Sequence, residues 1–200
     1  MRAESIVFAV AGMCFGVILG WVLATQQGRA QALPVATQAA EQAAQAGNQA
    51  PPLDEARVQG LQTILKSDPR NAGALAQLGN AYYDAQRYTE AIPYYEQAMA
   101  ADASNVDVST DLGVSYYYTN RPDDAIKQFD VSLKLDPRHI KTLLNKGIVL
   151  AFGKQDLDGA ATLWNQVVQI APESQEAAAA KRGLEGITAS RTGAAAGSGS

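Results

Sequence analysis

The stretch Leu78-Gly79-Asn80-Ala81-Tyr82-Tyr83 returns 34 positions later as Leu112-Gly113-Val114-Ser115-Tyr116-Tyr117, and again as Lys146-Gly147-Ile148-Val149-Leu150-Ala151. Other positions keep the same period. Ala91 returns as Ala125 and Tyr95 as Phe129, then one residue late as Ala160 and Trp164. Asp68-Pro69 and Asp136-Pro137 lie two periods apart, with Asp102-Ala103 midway and Ala171-Pro172 closing the series. The shared lateness of the third copy implies one extra residue between Gly147 and Ala160, placed by the sequence in the turn around Gly153-Lys154-Gln155-Asp156. A fixed period of about 20–50 residues is the mark of stacked supersecondary units.

The residues at the repeating positions suit packed helices. Glycine inside a helix costs about 1 kcal/mol relative to alanine, so its return at 79, 113 and 147 calls for two helices in close contact. Ala91 and Ala125 do the same on the second helix, and Tyr95, Phe129 and Trp164 supply large apolar area to the seam. Each Asp-Pro pair ends a helix, because proline disfavours helical geometry in the residue before it. Pro93 is placed near the first turn of a second helix, where a missing N–H is tolerated. Leu53–Ser67 carries a helical stripe (Leu53, Ala56, Leu61, Ile64, Leu65) ahead of the first copy. After the last, Ser174 can cap a closing helix with apolar face Ala177, Ala180, Leu184 and Ile187. The pattern predicts an all-α solenoid of seven or eight helices in series.

These residues resemble the tetratricopeptide repeat (TPR) family, whose unit is a helix hairpin of about 34 residues. The copies run over about 72–105, 106–139 and 140–174, within a domain spanning 53–188 whose capping helix covers 174–188. Departures are Lys146, where an apolar residue is usual, and Ala103 in place of the closing proline. The resemblance implies that the first helix of each hairpin lines a concave groove. Its groove positions fall on Asn80, Tyr83 and Asp84; on Asp107, Thr110, Val114, Tyr117 and Tyr118; and on Lys141, Leu144, Ile148, Ala151 and Phe152. All eight tyrosines lie between Tyr82 and Tyr118, and tyrosine offers rigid contact area with a polar tip. Tyr82, Tyr95 and Tyr116 occupy packing positions, and Tyr88 and Tyr94 are assigned structural roles. Some TPR domains grip a C-terminal carboxylate. Here Asn80, Lys141 and Asn145 match that pattern in part, but Ala76 and Asp111 do not, and Asp111 would repel the ligand. The expected ligand is therefore a generic peptide or extended chain.

Ahead of the repeats, Ile6–Ala24 is an uncharged run of 19 residues, enough as a helix to span a hydrocarbon core of roughly 30 Å. Trp21 sits near its end, where indoles favour the interface. Ala30-Gln31-Ala32 would also suit a signal cleavage site, but the run exceeds the usual apolar length of such signals, about 7–15 residues. Residues 1–25 are therefore read as a transmembrane anchor. Gly12, Gly16 and Gly20 lie on one face of it and offer a seam for self-association. Residues 26–52 hold nine Ala and seven Gln with no recurrent apolar face, and read as a tether of roughly 30 Å root-mean-square span. A short N-terminal tail would leave the solenoid on the periplasmic side of an inner membrane. Residues 189–200, all Ser, Gly, Ala and Thr but for Arg191, read as a disordered tail.

The net charge of −4, the pI near 5.0 and only 16 Lys and Arg give no basic stripe for nucleic acid. A single cysteine, Cys14, and a single histidine, His139, supply no metal cluster. His139, beside Arg138 at a repeat boundary, is expected to be exposed. No Gly-rich phosphate loop or nucleophile with a partner base is evident. The expected function is non-enzymatic and free of cofactors: a membrane-anchored adaptor or scaffold for protein partners beside a membrane complex. The alternative is a chaperone-like holder of unfolded or exported chains, as in TPR proteins of translocons or of cytochrome c maturation.

Overall fold

The computed structural model describes residues 50–197. The apolar run Ile6–Ala24, its glycine stripe and the Ala/Gln-rich segment up to residue 49 lie outside them. Among the described residues no helix is long and apolar enough to cross a membrane.

The described residues form an all-helical array: α1 (Glu55–Ser67), α2 (Ala72–Asp84), α3 (Tyr88–Ala101), α4 (Val106–Tyr118), α5 (Pro122–Leu135), α6 (Ile140–Ile148) running into a π-helical turn (Val149–Gly153), α7 (Leu157–Ile170) and α8 (Gln175–Gly197). Starts are fixed by side chains that accept orphan N–H groups. Asp54, Asn71, Asn105 and Asp156 each accept from the backbone N–H three residues on, at 2.9–3.1 Å, and Ser174 Oγ accepts from Ala177 N at 3.0 Å. Between repeats the aspartates take over: Asp102 Oδ1 accepts from Ser104 N and Oγ, and Asp136 Oδ1 from Arg138 N. Those bonds also hold the Asp102 carboxyl below its ordinary value.

Three hairpins, α2–α3, α4–α5 and α6–α7, repeat one contact. Tyr95, Phe129 and Trp164, each at most 2% exposed, lie flat against Gly79, Gly113 and Gly147 of the facing helix. A Cβ on Gly113 would sit 2.6 Å from the Phe129 ring. Trp164 meets two glycines, Gly147 at its pyrrole end and Gly183 of α8 at its benzo end, where a Cβ would fall 2.5 Å from it. Polar tips find partners: Tyr95 OH donates to Asn80 Oδ1 (2.8 Å) and Trp164 Nε1 to the Leu144 carbonyl (3.2 Å). Helices α2, α4, α6 and α8 touch in sequence along one face, while each second helix packs between two first helices. That arrangement lays the first helices side by side on one face of the array, called the inner face below.

The hairpin turns have a repeated clamp as well. Arg87 lies over Tyr82 and pairs with Glu90, and Arg121 lies over Tyr116 and pairs with Asp124. Gln86 and Asn120 take positive φ, 56° and 61°, and reverse the chain. In the third repeat Asp156 stands in place of the arginine and serves as a helix cap.

Four expectations need correction, and one departure from the pattern, Lys146, finds its partner. The extra residue of the third copy is not in the loop. It is absorbed in the last turn of α6, where Lys154 N reaches the Val149 carbonyl and Asp156 N the Leu150 carbonyl, six positions back, whereas Arg87 and Arg121 reach five. Pro93 lies in the second turn of α3, not the first; it is exposed, so water can satisfy the Thr89 carbonyl that loses its donor. Helix α8 continues to Gly197 rather than ending before a disordered tail. Thr188 and Ser190 bond back to the preceding turn and Arg191 pairs with Asp158 of α7, while Ala194–Ala196 are strong helix formers. Lys146, polar at an apolar position, sends its ammonium to Asp130 of α5 at 2.5 Å. His139 is only 20% exposed, because it is tied to the α4–α6 junction described below.

Gly113→Ala should lower the stability by about 1–3 kcal/mol through overpacking against Phe129. Gly60→Ala, where an added Cβ meets nothing within 4 Å, should instead raise it by about 0.5–1 kcal/mol. Thermal unfolding of the two variants checks both signs.

Candidate functional site

The inner face is built on α2, α4 and α6, and its main feature is aromatic. Tyr95 meets Tyr83 edge-on (centroids 6.3 Å), Tyr83 meets Tyr88 edge-on (5.3 Å), Tyr88 stacks on Tyr118 (4.6 Å, 10° between planes), and Tyr118 tilts against Tyr117 (5.7 Å). The chain of rings crosses from the first hairpin to the second. It ends at the π turn, where a Cβ on Gly153 would come within 3.3 Å of Tyr117. Tyr118 is 62% exposed and Phe152, carried outward on that turn, 72%. Beside Tyr118 opens a cleft of about 40 Å³ lined also by Val114, Tyr117, Asn145 and Ile148, with the buried Phe129 and Val149 completing it.

Carboxylates surround the ring chain. Asp111 on α4 is buried to 14% side-chain exposure, with Lys141 Nζ of α6 at 2.8 Å from its Oδ1. The lysine lies off the hydrogen-bonding direction, so that oxygen has an ion-pair contact but no aligned donor. Burial raises the Asp111 carboxyl above its ordinary value, Lys141 pulls it back down, and Asp107 and Asp84 push it up again. The hydroxyls of Tyr83 and Tyr95 are raised by burial first and by Asp111 next.

A second polar group sits at the α4–α6 junction. His139 Nδ1 is 2.7 Å from Thr142 Oγ1, which is 2.6 Å from Thr110 Oγ1, and His139 Nε2 is 3.4 Å from Asp107. Acid, imidazole and hydroxyl in series are the parts of a nucleophile relay. Thr110 and Thr142 are 0% exposed, so no substrate reaches them, and the group acts as a clamp between repeats. Ser109, Ser132 and Gln128 form a similar clamp within the second hairpin. Among the described residues no three metal-ligating side chains converge.

Of the residues expected in the groove, Tyr83, Tyr117, Tyr118, Val114 and Ile148 come together around the ring chain and cleft, while Phe152 stands exposed on the π turn and lines neither. Asp84 is exposed and follows Tyr83 directly. Asn80 is engaged in holding Tyr95, and Lys141 in neutralising Asp111. Thr110 and Ala151 are buried and line nothing. Tyr94 stacks on Tyr82 at 5.4 Å and packs within the first hairpin. Tyr116 is buried and bonded to Glu96, its hydroxyl pushed up to about 12 by burial and that carboxylate. Tyr88, assigned a structural role, belongs to the ring chain. Its stacking on Tyr118 links two hairpins, a relation no 34-residue alignment exposes.

Residues 82–147 match the tetratricopeptide repeat family model. No curated protein sequence matches the chain at a significant level. Among solved structures the chain is similar to MamA, at 20% identity and a TM-score of 0.59 over 66% of this chain and 77% of that one. It is also similar to the first TPR of Spaghetti (RPAP3) bound to the HSP90 peptide SRMEEVD, at 25% identity and a TM-score of 0.56 over 62% and 96%. The first TPR domain of the human RPAP3 protein gives 25% identity and a TM-score of 0.56 over 62% and 95%. The described helices thus have the TPR solenoid fold.

A carboxyl whose folded value is raised contributes stability below its ordinary value, about pH 4, and loses it as pH rises through the folded value. Lys141→Met removes the downward pull on Asp111. The variant should match the parent at about pH 3 and fall behind by about 1–2 kcal/mol at neutral pH, a partly exposed lysine being discounted for solvent screening. Urea unfolding across that range tests this; a deficit constant with pH would contradict it.

Proposed function

We propose that this TPR solenoid is a non-enzymatic adaptor that binds an extended segment of a partner protein along its first helices, beside a membrane complex. The observation that carries the reading is the ring chain from Tyr95 to Tyr117, of which Tyr118 is largely exposed beside the cleft, with Phe152 exposed on the π turn. Buried aromatics stabilise a core, but large exposed rings beside a cleft cost solvation in the free protein and recover it on binding. The RPAP3 domain, in complex with an HSP90 peptide, supports a peptide as the class of ligand.

The apolar run Ile6–Ala24 supports a single-pass inner-membrane anchor, with the Ala/Gln-rich segment as tether and the solenoid on the periplasmic side. Gly12, Gly16 and Gly20 give that helix a face for self-association. A second reading, a chaperone-like holder of unfolded chains, draws on the same exposed rings, since apolar contact without fixed polar partners is tolerant of sequence.

Crosslinking and pull-down from membranes distinguishes these readings. Tyr118→Ala/Phe152→Ala, both exposed, should lose a small defined set of partners that the parent chain captures, while Tyr118→Phe, which keeps the ring stacked on Tyr88, should retain them. Retention of the same set by the double variant rejects the groove. Capture of many unrelated proteins, with suppression of their aggregation, favours the holder.

A further inference from the structure

Each pair of neighbouring first helices leaves a crevice with the intervening second helix beneath it, and the repeat makes these crevices comparable position by position. In the second, between α4 and α6, Thr110, Ser132 and Thr142 are 0% exposed and His139 lies against Thr142. In the third, between α6 and α8, Leu144 packs in one cluster with Val167 and Ala177. The same positions of the first crevice, between α2 and α4, hold Ala76, Ala98, Asn105 and Val108, and there about 120 Å³ stays open. We propose that this first crevice is a subsite of the groove and takes a leucine- or methionine-sized side chain of an extended partner segment, in the place that Leu144 fills in the third. The inference rests on the groove reading above.

The opening is a consequence of sequence. Gly73 carries no side chain and Ala76 one methyl, where the next copies have Asp107 and Thr110, then Lys141 and Leu144. A Cβ on Gly73 would meet only the Asn71 side-chain oxygen, at 3.5 Å, so no neighbour reaches in to take up the space.

The walls decide the chemistry of the occupant. Ala72, Ala76, Ala98 and Val108 present methyl groups. The polar lining is engaged, since Asn105 Oδ1 accepts from Val108 N, and Asp102 Oδ1 from Ser104 N and Oγ. Water against such walls makes few hydrogen bonds, and its displacement by an apolar group is favourable. A closed cavity of about 150 Å³ holds a benzene ring, so the smaller hollow suits an aliphatic chain of about four heavy atoms. It also lies within reach of the tyrosine cleft. Val108 borders the hollow near the start of α4 and Tyr118 borders the cleft at its end. Roughly ten residues of helix rise about 15 Å, a distance that about five extended residues cross.

Ala76→Leu tests the inference, because it gives the first crevice the residue of the third. The probes are decapeptides selected from a random phage-displayed library on the full chain in nanodiscs. The variant should melt at or above the temperature of the parent; a marked fall would mean that the crevice has no room for such a side chain, and would overturn the proposal. The selected peptides should share a leucine or methionine whose change to alanine weakens binding about tenfold or more, the scale of one buried aliphatic side chain. Ala76→Leu should weaken the parent peptides by a similar factor, and the alanine peptides should bind parent and variant alike. If Ala76→Leu binds every peptide as the parent does while Tyr118→Ala loses them, the hollow is no subsite and the groove stands. A shared lysine or arginine whose contribution vanishes in Asp102→Asn overturns the aliphatic assignment. If nothing is enriched, or Tyr118→Ala also binds as the parent does, the groove reading fails and this inference with it.

Discussion

The contact on which the rest depends is an absence: no Cβ at Gly79, Gly113 and Gly147. Each glycine lets an aromatic ring of the second helix lie directly on the backbone of the first. The ring fixes the separation and rotation of the two helices at once, because a flat side chain against a bare backbone has few alternative seats. Repeating that hairpin every 34 residues produces a regular stack. The first helices then share one face, and the side chains one turn beyond each glycine, Tyr83 and Tyr117, arrive in register along it.

The polar groups keep the register between hairpins. Thr110, Thr142 and His139 tie α4 to α6, and Lys141 reaches Asp111 across the same junction. These are directional and leave costly orphans if the repeats slide. The apolar seams give the stack its stability and the polar ties its alignment. What is left over on the inner face, exposed rings and an unfilled crevice, is the part free to meet another molecule.

Much of this was legible from the periodicity, since glycine, alanine and aromatic residues at fixed offsets leave few packings open. The limits of that reading were equally physical. An inserted residue shows as a shift between Gly147 and Ala160, but periodicity cannot say whether a loop or a helix absorbs it. The π turn, and so the outward display of Phe152, came only with the structure. His139 read as exposed because a repeat boundary is usually wet; its two threonine partners lie on different helices, and Thr110 is 29 residues away. Tyr88 was assigned to the scaffold because its stacking partner, Tyr118, belongs to the next repeat. Alignment finds residues that do the same thing in each copy and overlooks those that act between copies.

The central claim is that the ring–glycine contact sets the hairpin geometry. A double-mutant cycle between Gly113→Ala and Phe129→Leu, followed by chemical unfolding, addresses it most directly. If the contact governs, the added methyl is tolerated once the ring is gone, and the double variant is less destabilised than the sum of the singles by about 0.5–3 kcal/mol. Strict additivity would mean that the glycine and the ring act independently, and that something else sets the spacing of the helices.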